Sequence, residues 1–144
     1  MSVPSLLKVF CEAGSAPEQF TAKLRRLASQ NGGKLPLTHE SPIGNWDSIK
    51  RDGAIKGDGS IFMTVGHLDK PSFVTKHGVI IHVNLPVRLI TPGTIVPDMR
   101  FDGEDDMLRQ FPNLVGGEVS VGMDKIPRSL WTEVLDNRTG EKLE

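Results

Sequence analysis

Apolar residues recur at helical spacing up to about Gly33 and mostly at alternating spacing after it. Val3 to Ala13 carries Leu6, Leu7 and Phe10 on one side of a short helix. A sharper start follows in "SAPEQF", where Ser15 as N-cap and Glu18 three residues on have the spacing of a capping box. Phe20, Leu24 and Leu27 continue the helical period, and Asn31-Gly32-Gly33 ends it. Leu35 and Leu37 then alternate with Pro36 and Thr38, which predicts a strand ending near His39. Ser41-Pro42 has the residues of a helix start, a hydroxyl cap followed by proline in the first position. Ile43, Trp46 and Ile49 would form that helix's apolar side, and Gly53 its end.

Strands are predicted over Ser60 to Val65, Val79 to Leu85, "GEVSVGM" and Trp131 to Leu135, with a short one in "PVRLITPG". In the first of these, Ile61, Met63 and Val65 share one face, and Ser60, Phe62 and Thr64 the other. Residues 66–78 read as a loop or short helix, and Glu104 to Phe111 as a short helix. "IPRSL" and Arg138-Thr139-Gly140 read as turns. Helices come first and strands dominate afterwards, so the fold class is α+β rather than alternating α/β.

The 144 residues suit one domain: a helical segment over 1–33, a core over 34–136 and a polar tail over 137–144. No repeat divides it. A net charge of −1 supplies no global field for nucleic acid or acidic membrane. One cysteine, Cys11, excludes an internal disulfide and a cysteine-based zinc site, and reads as a small buried hydrophobe. No apolar run approaches the ~20 residues of a membrane span, and no signal pattern opens the chain, so a cytoplasmic location is expected.

Three places carry candidate chemistry. His39 stands at the rim of an apolar strand face, just before the predicted helix start, whose free N–H groups would suit an anion. The plain alternative is a core-edge histidine bonded to backbone. Glu118 follows Gly116-Gly117 on a strand whose apolar face is Val119, Val121 and Met123, so Glu118 and Ser120 point the other way. Glycines there leave room for another molecule to approach a carboxylate; otherwise Glu118 is a solvent-facing strand residue. Phe62, between Ser60 and Thr64, is a stacking platform or an ordinary half-buried aromatic. His67, Asp69, His77 and His82 match no zinc spacing, "GEDDM" lacks calcium-loop spacing, and "GAIKGDG" is not a phosphate-binding loop, so no metal is expected.

Taken in order, these segments resemble the ADP-ribosyltransferase-fold domains. His39-Glu40-Ser41 followed by Asn45, Ser48-Ile49 and Gly53 resembles the family's first strand and helix. "GDGSIFMTVG" is similar to its second strand, and "GGEVSVGMDKIP" to the strand that opens with the catalytic glutamate. The resemblance spans Leu35 to Trp131 and implies helices packed on a split, mainly antiparallel sheet with a central NAD cleft. It further implies that His39 bonds a ribose hydroxyl of NAD, that Phe62 with Ser60 and Thr64 lines the nicotinamide pocket, and that Ser41 belongs to the same cleft. Glu118 would hold the 2′-hydroxyl and stabilise the cation left as nicotinamide departs. The helix after Ser41 would meet the pyrophosphate.

Two departures bear on the acceptor. The chain has no tyrosine, so Phe62 would stack without a hydroxyl. Gly116 stands where arginine-modifying members carry Glu or Gln, which argues against an arginine acceptor. Small domains of this kind are commonly bacterial toxins or effector cargo, so a protein or nucleic-acid acceptor and an immunity or antitoxin partner are implied, with no membrane. Alternatives are an RNA 2′-phosphotransferase-like enzyme, a non-catalytic binding module and, last, a metal-dependent nuclease. The loop from His67 to Lys76 is expected to close over the cofactor, with Lys70 and Lys76 reaching its pyrophosphate, or else to be a solvated surface loop.

Overall fold

The computed structural model describes residues 16–69 and 77–144. The predicted helix Val3 to Ala13, Cys11, the Ser15 cap and the residues from Lys70 to Lys76 lie outside them. The first described element, helix α1 (Ala16–Gln30), buries Phe20, Leu24 and Ala28, a stripe at intervals of four. Gly32 and Gly33 follow it at positive φ. Arg25 ties the helix down from outside, its Nε donating to the Ile90 carbonyl at 2.9 Å.

Strand β1 (Lys34–Pro42) runs on past His39. It pairs along its whole length with β4 (Gly78–Pro86), from Lys34–Pro86 to Pro42–Gly78. Its other edge meets β3 (Ile61–Val65) only at Leu37–Val65 and Thr38–Thr64. Strand β6 (Glu118–Val121) lies beyond β3, and β5 (Ile95–Pro97) beyond β6. Strand β8 (Trp131–Asp136) flanks β4, with a bulge between His82 and Val83. The six-stranded order is β5-β6-β3-β1-β4-β8, every pairing antiparallel, so the class is α+β as expected. The sheet has two halves, and a seam of two residue pairs joins them.

Directly paired residues share a face. One face carries Leu35, Leu37, Met63, Val65, Ile81, Val83, Val119 and Val121, and it shares a core with Phe20, Leu24 and Met107. Thr38, Thr64 and Glu118 form a row on the other face.

The helix start at Ser41-Pro42 is corrected. The β1–β4 ladder continues through both residues, and Pro42 is extended at φ −55° and ψ 143°. A 3-10 turn (Ile43–Asn45) precedes helix α2 (Trp46–Asp52), which Gly53 ends in the left-handed conformation at φ 64°. Ser41 Oγ accepts from Asn45 Nδ2 at 2.9 Å instead of capping a backbone N–H. The strand predicted in "PVRLITPG" is also corrected: Val87–Leu89 is a 3-10 turn after Pro86, and the strand forms later, as β5. A small second sheet pairs β2 (Ala54–Lys56) with β7 (Lys125–Pro127). Between β5 and β6 the predicted short helix is present as α3 (Gly103–Gln110), with Met107 in the core.

Candidate active site

The chain enters β6 through Gly116-Gly117. Gly116 has φ 92°, a conformation open to glycine, and its N–H donates to the Val65 carbonyl at 2.9 Å. Val65 N–H returns a bond to Gly117 O at 2.9 Å, so the two glycines extend the β3–β6 ladder. The room expected beside Gly117 is filled by the chain itself. A Cβ there would overlap Met107 Cε and stand 3.1 Å from the Leu114 carbonyl.

Glu118 points away from the Val119–Val121 face, as alternation requires. It is not solvent-facing, however: it has 0% exposure. The turn after β5 folds back on it. Asp98 N–H donates to Glu118 O at 3.0 Å, and Arg100 Nη1 stands 3.0 Å from Glu118 Oε1. The Arg100 side chain is 45% exposed and lies over the Phe101 ring at 4.8 Å, so the guanidinium bridges a buried carboxylate and the surface. Thr64, directly opposite Glu118, is buried as well. Phe62, opposite Ser120, is 37% exposed. Ser60 precedes β3 and is exposed.

His39 lies on the other face of β1 from Thr38, paired with Ile81. Its Nδ1 stands 2.8 Å from the Phe62 carbonyl, so the ring crosses the gap where the β1–β3 ladder has stopped. A carbonyl only accepts, so Nδ1 carries the proton and Nε2 keeps its lone pair. Burial lowers the His39 pKa from its ordinary value, against a smaller raising effect of the Phe62 carbonyl. The ring is therefore neutral at pH 7, an acceptor at Nε2.

The predicted residues thus form two groups. Phe62, Thr64 and Glu118 share one face of β3 and β6. His39 and Ser41 share the opposite face of β1. The two groups therefore lie on opposite faces of the sheet, linked through the β1 backbone, where His39 follows Thr38 of the Thr38–Thr64–Glu118 row, and through the His39–Phe62 carbonyl bond. No helix N-terminus stands directly after His39, so the expected pyrophosphate site there is not formed.

Two residues escaped the sequence reading. Thr38 Oγ1 donates to Gly66 O at 2.6 Å and accepts from Leu68 N–H at 2.9 Å, pinning the loop after β3 beside the row. Alternation along β1 carried that signal. Arg100, in "PDMRF", has no periodic pattern to reveal it.

The histidines outside the row are engaged locally. His77 Nε2 bonds Asp136 Oδ2 at 2.7 Å, and this contact, with N–H bonds from Arg138 and Thr139, holds the Asp136 carboxyl below its ordinary pKa. His82 Nε2 donates to Leu68 O at 3.0 Å, and His67 stacks on the His82 ring at 4.9 Å. Asp69, His82 and Glu133 bring potential ligand atoms within 4.8 Å of one another, a grouping that no sequence spacing displays.

One cavity of about 320 Å³ lies between α1 and residues 112–115, and another of about 520 Å³ lies beside Glu133 and the turn after β8. Neither touches Glu118 or His39. Comparison of the chain with protein-family models, curated proteins and solved structures finds no match.

Proposed function

We propose that the protein is an NAD-dependent ADP-ribosyltransferase of the toxin or effector type, acting on a macromolecular acceptor. The observation that carries this reading is the placement of Glu118. A carboxylate buried on a sheet face is capped by a half-exposed guanidinium, in a row that runs through Thr64 and Thr38 to the strand bearing His39, whose Nε2 is a fixed acceptor.

In this reading a ribose hydroxyl of NAD donates to His39 Nε2, and nicotinamide stacks on Phe62. Breaking the bond between ribose C1′ and the nicotinamide nitrogen sends the electron pair away with nicotinamide. The ribose becomes oxocarbenium-like, and an acceptor nucleophile then bonds to C1′. The Glu118 carboxylate accepts a hydrogen bond from the 2′-hydroxyl and opposes the positive charge as it develops, which helps most in the transition state. Thr64, its direct neighbour across the strands, helps hold the position.

The test is incubation with NAD labelled in its adenylate half, with a cell lysate as acceptor. Release of nicotinamide with transfer of label to protein or nucleic acid is the expected result. Wild-type protein that binds NAD but releases no nicotinamide, with or without lysate, would favour a non-catalytic binding module instead.

A further inference from the structure

The Glu118 carboxylate has no exposed surface, yet its guanidinium partner is nearly half exposed. Arg100 is therefore the outer member of the pair. It sits on the turn between β5 and α3, beside Met99, which is 97% exposed. The turn is held by Asp98: its carbonyl accepts from Phe101 N–H at 3.0 Å, and its own N–H donates to Glu118 O at 3.0 Å. Those bonds, with Arg100 N–H donating to Asp98 Oδ2 at 3.3 Å, fix the backbone of the turn, and the half-exposed Arg100 side chain reaches from it to Glu118.

A carboxylate already engaged by a guanidinium at 3.0 Å is a weakened acceptor for a hydroxyl, and its charge is opposed before any cation forms. For Glu118 to hold a ligand's hydroxyl, Arg100 has to leave it. A guanidinium leaves a buried carboxylate readily only for another anion, and it suits phosphate as well as carboxylate. The substrate class proposed above carries such an anion.

We infer that Arg100 is a displaceable counter-ion: the pyrophosphate of an incoming dinucleotide draws its guanidinium off Glu118, so that phosphate binding uncovers the carboxylate. The inference rests on the transferase reading for the identity of the dinucleotide. Its chemistry is the exchange of one ion pair for another, with no bond made or broken. Arg100 then has two states, capping Glu118 in the free protein and clamping phosphate in the complex. An empty site keeps its carboxylate covered, which would limit wasteful hydrolysis of NAD.

The exchange makes an unusual prediction about binding, with ADP as the phosphate-bearing probe and adenosine as the control. Arg100→Ala should weaken ADP binding about 10–100-fold, the usual worth of a hydrogen bond to a charged group. It should leave adenosine unchanged, and Arg100→Lys should recover most of the loss. Glu118→Gln removes the anion that competes for Arg100, so it should bind ADP several-fold more tightly than wild type. A merely structural ion pair gives the opposite sign, because breaking it loosens the site for both probes.

Calorimetric titration of the four proteins, each checked by thermal melting for intact folding, measures these affinities. Equal ADP affinity in wild type, Arg100→Ala and Glu118→Gln overturns the exchange, and nicotinamide release by wild type would leave the transferase reading standing. The expected ADP pattern without nicotinamide release overturns the transferase reading and leaves Arg100 as a nucleotide-phosphate receptor.

Discussion

At the scale of single residues, burial changes what Glu118 is expected to tolerate. On an open strand face, Glu→Gln falls within about 0.5 kcal/mol. Here the carboxylate is enclosed and paired with Arg100, so Glu118→Gln should cost about 1–3 kcal/mol of stability, visible as a lower melting temperature. Its effect on nicotinamide release should be larger, about 10²–10³ in rate, since the negative charge facing the forming cation is gone. A variant that turns over NAD at the wild-type rate removes Glu118 from the chemistry. His39 makes a prediction in pH. Its folded pKa lies below the unfolded value of about 6.5, so below that pH the unfolded chain takes up a proton that the folded ring resists. Stability should fall as pH drops through about 6.5, and His39→Gln should flatten that part of the curve. Chemical denaturation from pH 7.5 to 5 measures the difference, and identical curves would contradict it.

At the scale of elements, Thr38 joins β1 to the loop after β3 through one buried and one partly buried bond. Thr38→Val keeps the shape but leaves Gly66 O and Leu68 N–H without that hydroxyl, at about 1–3 kcal/mol each. Denaturant titration should show the loss. Gly117→Ala should cost about 1–3 kcal/mol by overpacking against Met107 and Leu114, whereas Gly44→Ala, with nothing within 4 Å of its added methyl, should cost under about 0.5 kcal/mol. Equal melting temperatures for the two alanine variants would refute the packing account. Much of this level was legible in the sequence: alternation placed Ile61, Met63 and Val65 inward and put Glu118 opposite Val119. The same rule, followed along β1, sets His39 on the face opposite the Glu118 row, so only a break in the sheet lets one ligand meet both. The helix start failed because local capping preference at Ser41-Pro42 lost to a nine-residue ladder with β4, a long-range pairing that a local pattern does not encode. Arg100 was hidden for the same reason, since its partner is eighteen positions along the chain and on another element.

At the scale of the whole molecule, the two halves of the sheet are held unequally. Within one half, β1 and β4 pair over nine residues; across the seam, β1 and β3 pair over two. The core on the apolar face spans both halves, and no described helix is long and apolar enough to cross a membrane. Backbone opening at the seam therefore disrupts two residue pairs and the Gly66 N–H bond to the Pro36 carbonyl, whereas opening within the β1–β4 ladder disrupts nine pairs. In native-state hydrogen exchange, the halves should behave as separate cooperative units that open at different free energies. Amides of β1 and β4 facing each other should exchange only with global unfolding. Amides at the edges of β3 and β1 that face the seam should exchange through a smaller opening, insensitive to low denaturant. A dinucleotide seated between the halves should slow that opening selectively, turning the weakest line in the sheet into the part of the backbone that reports occupancy.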